Sequence, residues 1–491
     1  MLTIEFIWDK PGKVFSAISL RKMNLLHPYT GLYTDYYELT MAQGYYLEGM
    51  KDAPAAFDYF FRQQPFGGGY TIFAGLSDLL DTLRNFQFGG GAIRFLQKQG
   101  FDQDFLKFLR EFRFRGNVVA MREGEVVFPY EPCVQIEGTL IETQLVETAV
   151  LNLLNFESLV ATKAARMRQA AGEKLLMDFG LRRAHGYGGI QASRSAIIGG
   201  FHKTSNTFSA AQYGLEPSGT MAHSWIQAFE NEISAFRAYA AQFPENCILL
   251  VDTYDTLNSG LPNAILVGRE MEAQGFKLKG IRLDSGDLAF LSKKARNMLD
   301  QAGLEYVQII VSNQIDEYII SSLRDQEAPI DGFGVGTSLV TGKGSGALDG
   351  VYKLSVIRDL PTIKISENTS KTTLPGKKVI YRCEDEDGFF RADAIALEDE
   401  KSIQYISHPF ESGKRRSVGQ DKKEKLSHLV MKQGKAVGKI RNACQIAEYT
   451  LDRLQHLPEE HKRFVFPHTY PVGISDALLS LRDQIKKRST L

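Results

Sequence analysis

The stretch IRLDSGD puts a cation at Arg282 and carboxylates at Asp284 and Asp287 within six residues. Carboxylates in such a turn can hold ribose hydroxyls, or a magnesium ion through water. The guanidinium can hold an anionic substrate group. Asp287 also has a plainer use, as the N-cap of the helix read over DLAFLSKKARNML. LVDTYDT repeats the arrangement with Asp252 and Asp255, and two acid-bearing turns together favour a site. In SGTMAHSW, Thr220 is placed to cap a helix with His223 in its first turn. The positive helix end disfavours imidazolium and leaves a neutral, nucleophilic ring. The same field favours a phosphoryl group once attached. A lone histidine is more often structural, so this motif does not decide the matter alone. Gly334, Gly336 and Thr337 open GVGTSLVTGKGSG, whose backbone donors can surround a phosphate. A tight turn without a ligand fits that run equally well. The run matches neither the GxGxxG nor the P-loop spacing.

These residues need elements to carry them. After about residue 150 a format recurs in which a short apolar run ends in polar residues and a helix follows. KLLMDF leads to Gly180-Leu181-Arg182-Arg183, NCILLV to Asp252, KLKGIRL to Asp284, VQIIV to Ser312-Asn313 and PIDGFGV to Gly336-Thr337. Such alternation indicates parallel strands with crossover helices. Polar strand tips indicate a barrel whose site lies at the strands' C-terminal ends. Five strands are clear and one or two doubtful, near Gly199–Phe201, which predicts an irregular barrel. Before it, the chain reads as an α+β unit. Asp35 with Glu38 resembles a capping box, AFDYFFR is a strand candidate, and LSDLLDTLRNF and DQDFLKFLREF are amphipathic helices. Residues 117–147 read as short β-like runs with turns at Glu123-Gly124 and Glu137-Gly138. After about 355 the signal weakens to charged hairpins, a basic run at GKRRSVGQDKKEKL and a final amphipathic helix.

Lys+Arg and Asp+Glu balance at 58 each over 491 residues, so the basic excess expected of a polyanion-binding protein is missing. No nucleic-acid partner is expected. Cys133, Cys247, Cys383 and Cys444 form no CxxC pair, which fits a reducing compartment. No uninterrupted apolar run approaches the roughly 18 residues of a membrane span. A cytoplasmic protein with no membrane partner is expected. Residues 1–26 match little that follows and read as an extension.

The chain resembles the nicotinate phosphoribosyltransferase family. The resemblance is carried by YTDYYELTMAQGYY (33–46), MDFGLRRAHG (177–186), TSNT (204–207), GTMAHSW (219–225), LVDTYDT (250–256), IRLDSGDL (281–288), VSNQIDE (311–317) and GVGTSLVTG (334–342), in the family's order. It implies an α/β fold: an N-terminal α/β sandwich domain (27–150), an irregular α/β barrel (151–360) and a smaller C-terminal region (361–491) partly packing on the sandwich. The implied reaction joins nicotinate to phosphoribosyl diphosphate (PRPP), coupled to ATP hydrolysis, in NAD biosynthesis, an activity classed with ligases. Matching positions make His223 the residue phosphorylated from ATP, with Asp284 beside it in catalysis. Tyr37, Thr220 and Arg282 would contact nicotinate. Arg182, Arg183, Asp252, Gly336 and Thr337 would contact PRPP. His185 stands where the family more often has Gln. Mg2+ is the implied cofactor, its ligands unassigned, and a homodimer or larger homo-oligomer the implied assembly. The alternatives are a nicotinamide phosphoribosyltransferase, with a neutral substrate, and a non-catalytic nucleotide-binding barrel.

Overall fold

A computed structural model of the chain describes residues 30–489 except 369, 370, 412 and 440. The opening segment read as an extension, residues 1–26, lies outside the described residues. A seven-stranded antiparallel sheet is built around Pro54–Phe61, which pairs with Val134–Thr139 on one side and Gly350–Ile357 on the other. Every residue of PAAFDYFF after the proline is buried, because both faces of this strand are covered. The helices Leu76–Arg84, Gly90–Lys98 and Gln103–Glu111 bring Leu79, Leu83, Ile93, Leu96, Phe105 and Leu109 to the same core. That core continues into Ile380, Ile395 and Ile474 of a second, six-stranded sheet formed by the C-terminal region. His428–Lys432 goes further and joins the first sheet beside Asn117–Ala120.

The long helix Glu147–Ala171 links the two halves of the molecule. Val150, Leu153 and Leu154 belong to the sandwich core, whereas Val160, Ala161, Ala164 and Ala165 belong to the barrel core. Leu140–Ala171 is long and apolar enough to cross a membrane by length and composition, but 72% of its apolar window is buried inside the protein. Charges interrupt the apolar run in the sequence, and their partners lie inside the protein. Lys163 and Arg166 meet Glu317, and Glu157 meets Arg194.

The barrel contains six parallel strands in the order Lys203–Thr204, Leu175–Asp178, Gly332–Val335, Gln308–Ser312, Gly280–Leu283 and Ile248–Leu250. The first and last are edges that do not pair with each other, which makes this an irregular α/β barrel. The register sets Arg282 beside Leu250 and Ile310, and Ser312 beside Gly334.

Several local expectations give way. The strand sought near Gly199–Phe201 lies at Lys203–Thr204, because Gly199 caps the preceding helix Gly188–Ile198. Asp35 and Glu38 do not close a capping box. Asp35 pairs with Thr148 and Glu38 with Gln144, so both residues bind the helix to its neighbours instead. Gly138 is inside a strand rather than a turn, and Thr139 with Glu142 forms the capping box of helix Leu140–Leu145. Gly350–Ile357, read with the barrel, leaves it to pair with Pro54–Phe61. Helix Gly90–Lys98 was not anticipated, since Gly89-Gly90-Gly91 at its start reads as a loop.

Candidate active site at the barrel strand tips

Arg282 leaves its strand buried, with only 9% of its surface exposed, and gathers the neighbouring tips around its guanidinium. Nε donates to the Ser312 hydroxyl at 3.1 Å, and Nη1 donates to Thr220 Oγ1 at 2.6 Å and to the Met221 carbonyl at 3.2 Å. Nη2 makes only a long contact, 3.4 Å, to Asp284 Oδ1. The Phe179 ring lies 5.7 Å from the guanidinium carbon. Gly334 leaves room for that ring, since a Cβ there would come within 2.4 Å of it. Four of five guanidinium donor directions thus meet protein, and the Nη2 end is the least satisfied. A planar cation held this way can still take a carboxylate.

Asp284 is fixed from two directions. Its Oδ1 accepts the Ser312 hydroxyl, and its backbone N–H donates to Asp252 Oδ2 at 2.7 Å. Ser285 also donates to Asp252 Oδ2 at 2.7 Å, while Asp252 Oδ1 is buried without a partner among the described residues. His223 completes the group. Its Nδ1 is 3.0 Å from the Thr253 hydroxyl and its Nε2 is 3.9 Å from Asp284 Oδ2. The direction of the first bond follows the imidazole tautomer. The ring remains partly exposed, at 40%, and so can be reached by a substrate.

Thr220 does not cap the helix that carries His223. That helix is only His223–Gln227, its N-cap is Ala222, and the Thr220 hydroxyl is engaged by Arg282. His223 does occupy the first helical position. Asp287 caps its helix through Phe290 N–H, and Asp255 caps the next turn through Leu257 and Asn258, so neither needs a ligand to explain it.

Gly336 and Thr337 follow the Gly332–Val335 tip, next to Phe179, whose N–H donates to the Val335 carbonyl. Asp178 organises the adjacent tip. It accepts from Gly180 N–H and from the Ser193 and Thr204 hydroxyls, while burial raises its pKa above the usual range against those bonds. Arg182 and Arg183 follow in an exposed turn, Leu181–Arg183. Neither guanidinium has a hydrogen bond or ion pair among the described residues, which suits binding a polyanion. His185 is exposed beyond them.

Tyr37 stands apart. It is 48% exposed on the helix Tyr36–Leu47, and no hydrogen bond or ion pair joins it to the strand-tip group among the described residues. Burial, then Glu38, Glu147 and Asp35, push its phenol pKa upward, so it stays neutral.

The strand tips therefore unite His223, Asp284, Asp252, Thr220 and Arg282. They also supply Thr253 and Phe179, which sequence reasoning did not single out, and Ser312, which it read only as a polar strand tip. Each is the last residue of a strand or within three of it, so position at a tip was the available signal.

The sequence matches three family descriptions in chain order: nicotinate phosphoribosyltransferase N-terminal domain (32–155), nicotinate phosphoribosyltransferase family (175–414) and nicotinate phosphoribosyltransferase C-terminal domain (377–482). It is 41% identical to the nicotinate phosphoribosyltransferase of Bacillus subtilis, over 91% of this chain and 93% of that one. Identity to the Caenorhabditis elegans enzyme of the same name is 37%, over 91% and 92%. The crystal structure of human nicotinic acid phosphoribosyltransferase superposes with a TM-score of 0.83 at 31% identity, covering 92% of this chain and 99% of that one.

Proposed function

The chain belongs to the nicotinate phosphoribosyltransferase family, and from that premise we propose how its strand-tip residues divide the work. The enzyme joins nicotinate to PRPP, giving nicotinate mononucleotide and diphosphate in NAD biosynthesis. The observation that carries the reading is the buried Arg282, held by Thr220 and Ser312 with its Nη2 end least engaged. A nicotinate carboxylate satisfies that end, and the Phe179 ring lies beside the place the pyridine then takes. A neutral amide would leave the cation short of its counter-charge, which disfavours nicotinamide as the substrate.

Displacing diphosphate from ribose C1 builds positive charge on the sugar and negative charge on the leaving group. The pyridine nitrogen is the nucleophile, so no protein nucleophile is required at C1. Asp284 is suited to offset sugar charge, and Asp252, whose Oδ1 is unpaired among the described residues, to bind a ribose hydroxyl. Arg182, Arg183 and the Gly336-Thr337 turn supply cations and backbone donors for phosphate groups.

Coupling to ATP falls to His223. The ring nitrogen holding the lone pair attacks the γ-phosphorus, the bond to ADP oxygen breaks, and hydrolysis of the P–N bond later releases phosphate. Its proximity to Thr253 and Asp284 supports this role.

Magnesium usually binds through one or two carboxylates, water and substrate phosphates. Among the described residues no three His, Cys, Asp or Glu side chains cluster as a metal site. Asp252 and Asp284 at adjacent tips fit the sparser demand, and they would hold the ion through water. Its charge would stabilise the departing diphosphate.

The exposed Tyr37, with Tyr36, Met41 and Leu47 on the same helix, supports an assembly of at least two chains in which Tyr37 reaches a neighbour's barrel. A cytoplasmic location is consistent with the free cysteines, three of them buried. The direct test is a product assay with nicotinate, PRPP, magnesium and ATP, each omitted in turn. Loss of nicotinate mononucleotide without nicotinate or PRPP, and a weaker yield without ATP, is the expected pattern. Equal turnover of nicotinamide would overturn it.

A further inference from the structure

Behind the segment that holds Arg282 lies a recess outside the strand-tip site. It has a volume of about 490 Å3 and is lined by Gly219–Ala222, Trp225, Tyr239, Phe243 and Asn246. The segment is shared, and so acts as a partition between the two: Thr220 Oγ1 and the Met221 carbonyl accept from Arg282, and the same two residues line the recess, whose lining does not include Arg282.

The walls define the chemistry of an occupant. Trp225, Tyr239 and Phe243 form a chain of rings with centroid separations of 5.9 Å and 4.9 Å. The indole edge is fixed by its N–H donating to the Ala235 carbonyl at 3.1 Å, so the ring is held in place without a ligand. Burial raises the Tyr239 phenol pKa, which keeps it neutral, and its hydroxyl has no hydrogen-bond partner among the described residues. The Asn246 amide oxygen is taken by Lys279 Nζ at 2.9 Å, which leaves the amide N–H groups as donors. Among the described residues no charged side chain lines the recess. An ion would find no counter-charge on its walls. A flat neutral ring would stack on aromatic faces and use an acceptor for Asn246.

We propose that this recess is a second small-molecule site for a neutral nitrogen heteroaromatic ring, and that its occupant tightens nicotinate binding across the Thr220–Met221 partition. A filled recess backs the segment and holds both acceptors against the guanidinium, so Arg282 meets the substrate already oriented. The coupling half rests on the reading of Arg282 as the nicotinate carboxylate's partner; the binding half does not.

The chain has two tryptophans, Trp8 and Trp225, so Trp8→Phe leaves Trp225 as the sole indole reporter. Nicotinamide is the probe, added with the substrate site filled by saturating nicotinate mononucleotide. Saturable quenching of Trp225 under that condition is expected. In turnover assays the probe should lower the nicotinate KM about fivefold, the low end for coupling between two sites. Phe243→Ala should keep the basal kinetics and lose both responses. Absence of quenching, quenching abolished by the product, or quenching with an unchanged nicotinate KM would each overturn the proposal. Failure of the functional reading itself shows separately, as no nicotinate mononucleotide formed in the absence of the probe.

Discussion

His223 Nδ1 lies 3.0 Å from the Thr253 hydroxyl, which orients the imidazole and directs its other nitrogen towards Asp284. On the proposed reading of His223 as a phosphoryl acceptor, Thr253 is its positioning residue. Incubation with γ-labelled ATP should give an acid-labile, base-stable adduct that His223→Ala lacks. Thr253→Val should slow labelling roughly tenfold or more, the range of a misplaced reactive group, while Thr253→Ser restores it. Equal labelling of His223→Ala would remove the histidine from this role.

Tyr37 is exposed and, among the described residues, has no bond to the strand tips of its own chain, which suits a site completed by a neighbour. Tyr37→Ala and His223→Ala chains, each inactive alone, should regain partial activity when co-refolded, because one hybrid site is then intact. Confirmed hybrids without recovered activity would contradict a shared site.

Glu38 is fully buried and its pKa is pushed up to about 7, first by burial and then by the charges of Glu147 and Asp35, against a hydrogen bond from Gln144. Tyr37 also faces Glu38, and Lys353 pairs with the neighbouring Glu147. The folded protein holds the proton more tightly than an unfolded chain, whose glutamate titrates near 4.3. Stability from this group is thus full below about pH 4 and declines as pH rises towards about 7. Glu38→Gln should gain about 1–3 kcal/mol over the parent at pH 8, and almost nothing at pH 4. Denaturant melts at the two pH values check the sign. The same difference at both would show that ionisation is not the cause.

Arg382 has no exposed surface and ties the C-terminal sheet to the rest of the molecule. It bonds both oxygens of Asp393, at 2.9 and 2.6 Å, and Glu125 at 2.6 Å. Glu131 beside them has its pKa raised, by burial and then by Asp393. Arg382→Ala should destabilise by about 3–5 kcal/mol, since it strands buried carboxylates. Urea unfolding measures it. A loss under about 1 kcal/mol, the scale of an exposed ion pair, would mean the cluster relaxes or admits water.

The barrel was readable because its strands end in polar residues that no core would need, and because strand and helix alternate regularly from Ile248 onward. IRLDSGD, LVDTYDT and GTMAHSW converge in space as their strand-tip positions require. What escaped the sequence depended on contacts made at a distance. Thr220 has a cap's chemistry, but a cation two strands away claims its hydroxyl. Gly350–Ile357 has no feature that says which sheet it will join; its partner lies near residue 57. Phe179 looks like a core aromatic until its ring is seen beside Arg282.

On the proposed reading, Arg282 decides substrate choice. Removing one partner of a buried, hydrogen-bonded charge pair costs about 2–5 kcal/mol, or roughly 30-fold to several thousandfold. The measurement is kcat/KM for nicotinate in Arg282→Ala, beside its melting temperature and its PRPP-dependent ATP hydrolysis. The account predicts a fall within that range, with ATP hydrolysis largely kept and Arg282→Lys failing to restore nicotinate use, because lysine lacks the paired donors. An unchanged nicotinate kcat/KM in a folded Arg282→Ala protein would contradict it.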